Sequence, residues 1–148
     1  MDFAKYAEER KAFEAWRAEH PQPLIWVMSV KALFRDYTPP SPELPFKFGP
    51  HSYVYIGRHA GMHEQSPLAN PFKLHGEHTR PQVLTQYRGW LQTQLDGQSE
   101  VWKELMKILA YALEPNGIAL GCWCAPKPCH GGIIRECIYQ MYQEGWRP

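Results

Sequence analysis

Twelve residues constrain this chain more than any others: Gly121–Cys122–Trp123–Cys124–Ala125–Pro126–Lys127–Pro128–Cys129–His130–Gly131–Gly132. Three of the four cysteines and one of the seven histidines fall within nine of them. The apolar run Ile118–Ala119–Leu120 leads in, and an amphipathic run from Ile133 to Tyr142 leads out. A short apolar run bounded by turn residues reads as a buried strand, and a run of helical period as a helix. The segment is therefore strand, turn, helix, with the sulfurs gathered around the turn.

The rest of the chain supplies what such a unit packs against. Asp2 to His20 reads as a helix, with Asp2 as its N-cap and Phe3, Tyr6, Phe13 and Trp16 as an aromatic stripe that docks on the core. Pro21 and Pro23 end it. Leu24 to Val30 is apolar and partly β-branched, a buried strand. Four prolines between Tyr37 and Pro45 make a stiff, extended connection that could lie as a flap over a site. Tyr53–Val54–Tyr55–Ile56–Gly57 is a second strand. A long stretch without a clear period, His59 to Thr79, follows; loops of that length are usually functional or disordered. Thr79 with Gln82 forms a capping box. The helix it opens carries Val83, Leu84, Tyr87, Leu91 and Leu95 on one face. Asp96–Gly97 breaks it. Ser99 caps another helix bearing Val101, Leu105, Ile108, Leu109 and Ala112. The last helix buries Ile133, Ile134, Cys137, Ile138 and Met141. The order α-β-β-α-α-β-α predicts an α/β fold: a small, at least partly parallel sheet flanked by helices, with an N-terminal helical extension. Residues 1–52 form the extension (helix, strand and Pro-rich loop) and residues 53–148 the main α/β unit, together one packed domain.

The Cys-His turn admits three readings. If the strand persists, Cys122 and Cys124 point to one face, and with Cys129 and His130 they make a four-ligand set of the kind zinc takes. The spacing C-x-C-x4-C-H is not the usual C-x2-C, and adjacent Cys129 and His130 reach one metal with difficulty. In the second reading, Cys129 and His130 sit at a helix N-terminus, which favours anions and lowers a thiol's pKa. Gly131 beside them lets a ligand approach the backbone. The turn then binds a phosphate, or Cys129 and His130 act as catalytic groups. In the third, the sulfurs only pack, as buried cysteines often do.

Arg58 follows the second strand. At the carboxyl end of a sheet strand it reaches the same crevice as the Cys turn, and its fork suits phosphate or carboxylate. Ser66, Asn70 and Arg80 add donors. Each also has an ordinary reading: a surface ion pair for Arg58, a turn held by its own backbone bond for Asn70, a solvated helix start for Arg80. The loop histidines His59, His63, His75 and His78 fall outside any clear element.

A net charge of +1 gives no argument for nucleic acid by itself. No apolar run approaches the roughly 20 residues that span a bilayer, and Met1 to Arg10 lacks the apolar heart of a signal peptide. The expected setting is cytoplasmic, in a cell or inside an infected host cell. There thiols stay reduced, so a cysteine cluster reads as metal-binding or reactive before disulfide-bonded.

Four blocks in order, Tyr53–Arg58, Ser66–Phe72, Arg80 with Tyr87–Leu91, and Leu120–Cys124 with Pro128–Gly131, resemble a family catalogued as domain of unknown function 4326. That family is seen in bacteriophages, bacteria and some eukaryotes, and the resemblance covers about Tyr53 to Met141. Ala69 stands where glycine is expected and His59 where proline is common. The resemblance implies a phage-type setting and no established activity. Two functions remain open. One is a protein that binds a nucleotide or nucleic-acid component, whether as an enzyme or as a binding protein, in a crevice formed by Arg58, the Asn70–Pro71–Phe72 loop and the Cys122–His130 turn. The other is a zinc-stabilised module that contacts nucleic acid or a host protein.

Overall fold

Two side-chain periods build the elements. The computed structural model describes residues 2–30, 52–61, 63–72, 79–95, 99–124 and 127–148. The chain order is α1 (Phe3–Glu19), β1 (Ile25–Ser29), β2 (Ser52–Tyr55), α2 (Arg80–Thr93), α3 (Glu100–Ala112), β3 (Ile118–Cys122) and α4 (His130–Gln143), the order expected from the pattern. The Pro-rich stretch 37–45, His75, His78 and the Asp96–Gly97 break lie outside the described residues.

Three parallel strands form one sheet in the order β1-β3-β2. Ile25 to Ser29 pair with Ile118 to Cys122, and Ser52 to Tyr55 with Ile118 to Gly121. β3, the central strand, is buried along its whole length, as a strand covered on both faces must be. Alternation along the strands divides the core. Ile25, Ile118 and Leu120 join Ile56, Tyr87, Leu105, Leu109 and Ile134 beneath α2, α3 and α4. Trp26, Met28 and Ala119 face the other way and join Phe13 of α1. The α/β class and the parallel sheet follow from this arrangement.

Local chemistry sets the helix ends. Asp2 caps α1 by accepting from the Lys5 N–H at 3.1 Å. The Thr79–Gln82 capping box closes in both directions, at 2.8 and 3.3 Å. Ser99 accepts from the Trp102 N–H at 3.1 Å. Gly117 ends the turn before β3 at φ +68°, where a Cβ would run into the Leu24 carbonyl. Among the described residues, the aromatic stripe of α1 enters the buried core through its second half. Phe13 is buried and Trp16 packs beside it, whereas Phe3 is 76% and Tyr6 50% exposed. Among the described residues, the core that α1 joins holds Leu24, Trp26, Met28 and Ala119, and Phe13 and Trp16 reach it. Arg17 fastens the docked end: its guanidinium donates to the carbonyls of His20, Gln22, Ala112 and Glu114 at 2.6–3.0 Å.

Candidate functional site

β2 and β3 end side by side, and the chain leaves both at one end of the sheet. Beyond β2 come Gly57 and Arg58; beyond β3 come Trp123 and Cys124, and then Cys129 at the N-cap of α4. Parallel sheets bind ligands at such strand ends, beside a helix N-terminus. A cavity of about 370 Å³ opens there, between these ends, the Asn70–Phe72 loop and the first turns of α2.

The loop is held from two sides. Arg58 donates through Nε and Nη2 to the Asn70 carbonyl, at 2.9 and 2.7 Å, and through Nη2 to the Phe72 carbonyl at 3.0 Å. Its Nη1 makes no hydrogen bond to a described residue. The Asn70 Oδ1 accepts from the Phe72 N–H at 2.9 Å, a turn closed by the residue's own side chain. From beneath, the buried Tyr87 hydroxyl donates to the Leu68 carbonyl at 2.7 Å. Arg80, in the first turn of α2, donates to the Pro128 carbonyl at 3.1 Å and so ties the loop side of the crevice to the Cys turn.

Aromatic rings form the outer wall. The Trp123 indole N–H donates to the Tyr55 hydroxyl at 2.9 Å, and that hydroxyl donates to the Arg58 carbonyl. The His63 ring packs on Tyr55 at 4.4 Å between centroids. Tyr55 lies across Gly57, where any Cβ would collide with its ring. Trp123 keeps 46% of its surface exposed. His59, Phe72, Val83 and Leu84 complete the lining.

The Cys turn departs from the expected geometry at one point. β3 stops at Cys122, so Cys122 is buried while Cys124 lies exposed on the bend instead of sharing its face. The Cys122 and Cys129 sulfurs lie 3.1 Å apart and are hydrogen-bonded. The Cys129 thiol is pushed up, not down as a helix N-terminus alone would give. The hydrogen bond with Cys122, which the protonated Cys129 thiol can donate, and then burial both favour the neutral thiol; the Gly131 N–H opposes them only in part. His130 is buried, and its Nε2 is bonded to the Ile56 carbonyl at 2.6 Å. Burial and the nearby Arg58 charge lower its pKa, the Ile56 bond notwithstanding, so the ring is neutral near pH 7. Among the described residues no three His, Cys, Asp or Glu side chains come together so as to hold a metal ion.

The candidates therefore separate. Arg58, Asn70, Arg80, Cys122, Cys124, Cys129 and His130 line one cavity. Ser66 does not: it is buried and its hydroxyl accepts from the Leu68 N–H at 3.0 Å, shaping the turn. Gly131 packs inward, where a Cβ would lie 2.6 Å from Val27 Cγ1. Sequence reasoning did not single out Tyr55 or Trp123 as ring walls. Their positions beside Arg58 and between two cysteines were the available signal.

The family described as "Domain of unknown function (DUF4326)" matches residues 47–140. That match begins after β1, so the sheet's first edge strand lies outside it. A curated relative, the "Uncharacterized 12.4 kDa protein in nrdA-td intergenic region" of Enterobacteria phage T4, is 44% identical over 36 residues. The alignment covers 24% of this chain and 33% of the relative, so the chain spans about a third of that protein's length. No solved structure matches the chain. Among the described residues no helix is long and apolar enough to cross a membrane.

Proposed function

We propose, from the premise that this chain belongs to the DUF4326 family, that the crevice binds a small anionic ligand with a planar ring, of the nucleotide class. One observation carries the reading: the described residues lining the cavity include two guanidinium groups and several aromatic rings, and no carboxylate. A neutral apolar ligand leaves the charges of Arg58 and Arg80, which hold the walls through backbone carbonyls, unanswered by any carboxylate among the described lining residues. A bare anion gives no use to a 370 Å³ space walled by Tyr55, Phe72 and Trp123. A nucleotide uses both, with its phosphate toward Arg58 Nη1, Arg80 and the N-terminus of α4, and its base against the rings. The size falls in the usual range for small-molecule pockets, roughly 300–1,000 Å³. Cys129 and His130 enter this reading as neutral wall residues, one bonded to Cys122 and the other to the Ile56 carbonyl.

Titration calorimetry with nucleoside 5′-monophosphates, the parent nucleosides and inorganic phosphate tests it. The monophosphates are expected to bind at least about tenfold tighter than either part alone, since a charge-assisted hydrogen bond contributes roughly 1.5–3 kcal/mol. Trp123→Ala and Arg80→Gln, both at surface-accessible positions, should each weaken the monophosphates by a comparable factor. Phosphate binding as tightly as the monophosphates, or no binding of either, would overturn the assignment.

A further inference from the structure

The two sulfurs at the strand–helix junction carry an inference that does not rest on the nucleotide reading. Cys122 is the last residue of the central strand, and Cys129 is the N-cap of the helix that follows. Both are fixed by regular elements, and the turn between them brings their Sγ atoms to 3.1 Å. A disulfide requires about 2.05 Å, so roughly 1 Å of approach separates the thiol pair from a bond. Both residues line the crevice, which gives a small reagent a way in. The other two cysteines differ: Cys137 is buried on α4, and Cys124 is exposed on the bend. None of the four is disulfide-bonded.

We propose that Cys122 and Cys129 form a dithiol that a low-molecular-weight disulfide oxidises to an intramolecular bridge in the wall of the crevice. One thiol gives up its proton and attacks a sulfur of the reagent, RSSR, forming a mixed disulfide and releasing RS⁻, which takes up that proton. The second thiol then displaces the remaining RS group, and its proton leaves with it. Two S–H bonds and one S–S bond become one protein S–S bond and two RSH molecules, so the reagent is reduced by the two electrons the protein loses. The Gly131 N–H, close to the Cys129 sulfur, favours negative charge on that sulfur while the proton is away. The bridge closes the turn that carries Trp123 and Cys124, pinning one side of the crevice to the sheet.

The test equilibrates the full chain with mixtures of reduced and oxidised glutathione, then quenches it in acid. Remaining thiols are alkylated under denaturing conditions, disulfides are reduced, and the new thiols take a second label located by mass spectrometry. The expected result is the second label at Cys122 and Cys129 in equal amount, rising with the oxidised fraction, and the first label at Cys137. Cys124→Ser should keep this pattern, and Cys129→Ser should abolish it at Cys122. If Cys129→Ser fails to fold, the wild-type chain and Cys124→Ser decide the matter. Cys122 and Cys129 carrying only the first label at every ratio, glutathione resting on Cys124 alone, or a bridge that includes Cys124 would overturn the proposal.

Discussion

Tyr87→Phe tests how α2 supports the crevice loop. Tyr87 is fully buried, and its hydroxyl donates to the Leu68 carbonyl at 2.7 Å. The substitution leaves the ring's packing in place and removes one donor. An acceptor left unsatisfied in the interior costs roughly 1–3 kcal/mol, so a loss of about 1.5 kcal/mol is expected near pH 8. In a chain of 148 residues that corresponds to a Tm lower by about 3–6 °C. The pH dependence supplies a sharper check. Burial pushes the Tyr87 hydroxyl well above its ordinary value. As pH rises past about 10, the unfolded chain loses that proton and the folded chain keeps it. The folded state then holds more protons, so wild-type stability falls with rising pH. One unit above the ordinary value, the fall from this group is about 1.4 kcal/mol. Tyr87→Phe lacks the group, so its deficit should close near pH 11. Urea unfolding followed by circular dichroism at pH 8, 10 and 11 measures both effects. Equal stability of the two proteins at pH 8, or a deficit that persists unchanged at pH 11, would refute the reasoning.

Three further outcomes are expected. Gly117→Ala forces a side chain into a left-handed turn and against the Leu24 carbonyl, and should cost about 2 kcal/mol or more in chemical unfolding. Arg17→Met keeps the aliphatic stem but removes a donor from four carbonyls; about 3 kcal/mol should be lost, seen as a lower urea midpoint. His130 has its pKa lowered mainly by burial, so the unfolded chain takes up the proton first and stability drops as pH falls below about 6.5. His130→Gln should flatten that acid limb by as much as one proton, read from the slope of unfolding free energy against pH.

Period and capping make most of the fold legible in the sequence itself. The buried faces of α3 and α4 hold the residues their spacing predicts, and Val83, Tyr87 and Leu91 do the same for α2, because one apolar stripe per helix has only one way to be covered. The Cys turn's position followed from an apolar run feeding a helix. Three things were hidden. Cys122 and Cys124 sit two apart, but the strand ends between them, and alternation holds only while a strand lasts. Arg58 reads as an anion binder, yet its fork also suits carbonyl oxygens, and here those of Asn70 and Phe72 occupy Nε and Nη2. Arg17 sits on a helix that looks amphipathic and charged. Nothing in its spacing says that carbonyls near the ends of α1 and α3 converge on it.

The crevice between Arg58, Arg80 and Trp123 is the proposed ligand site. The most direct test is a titration of isotopically labelled protein with a nucleoside 5′-monophosphate, following backbone amides and tryptophan indole N–H signals by NMR. Saturable shifts are predicted for Gly57–Ala60, Asn70, Phe72, Cys124 and the Trp123 indole, with the α1 amides unmoved. Shifts gathered on α1, or none at millimolar ligand, would contradict it.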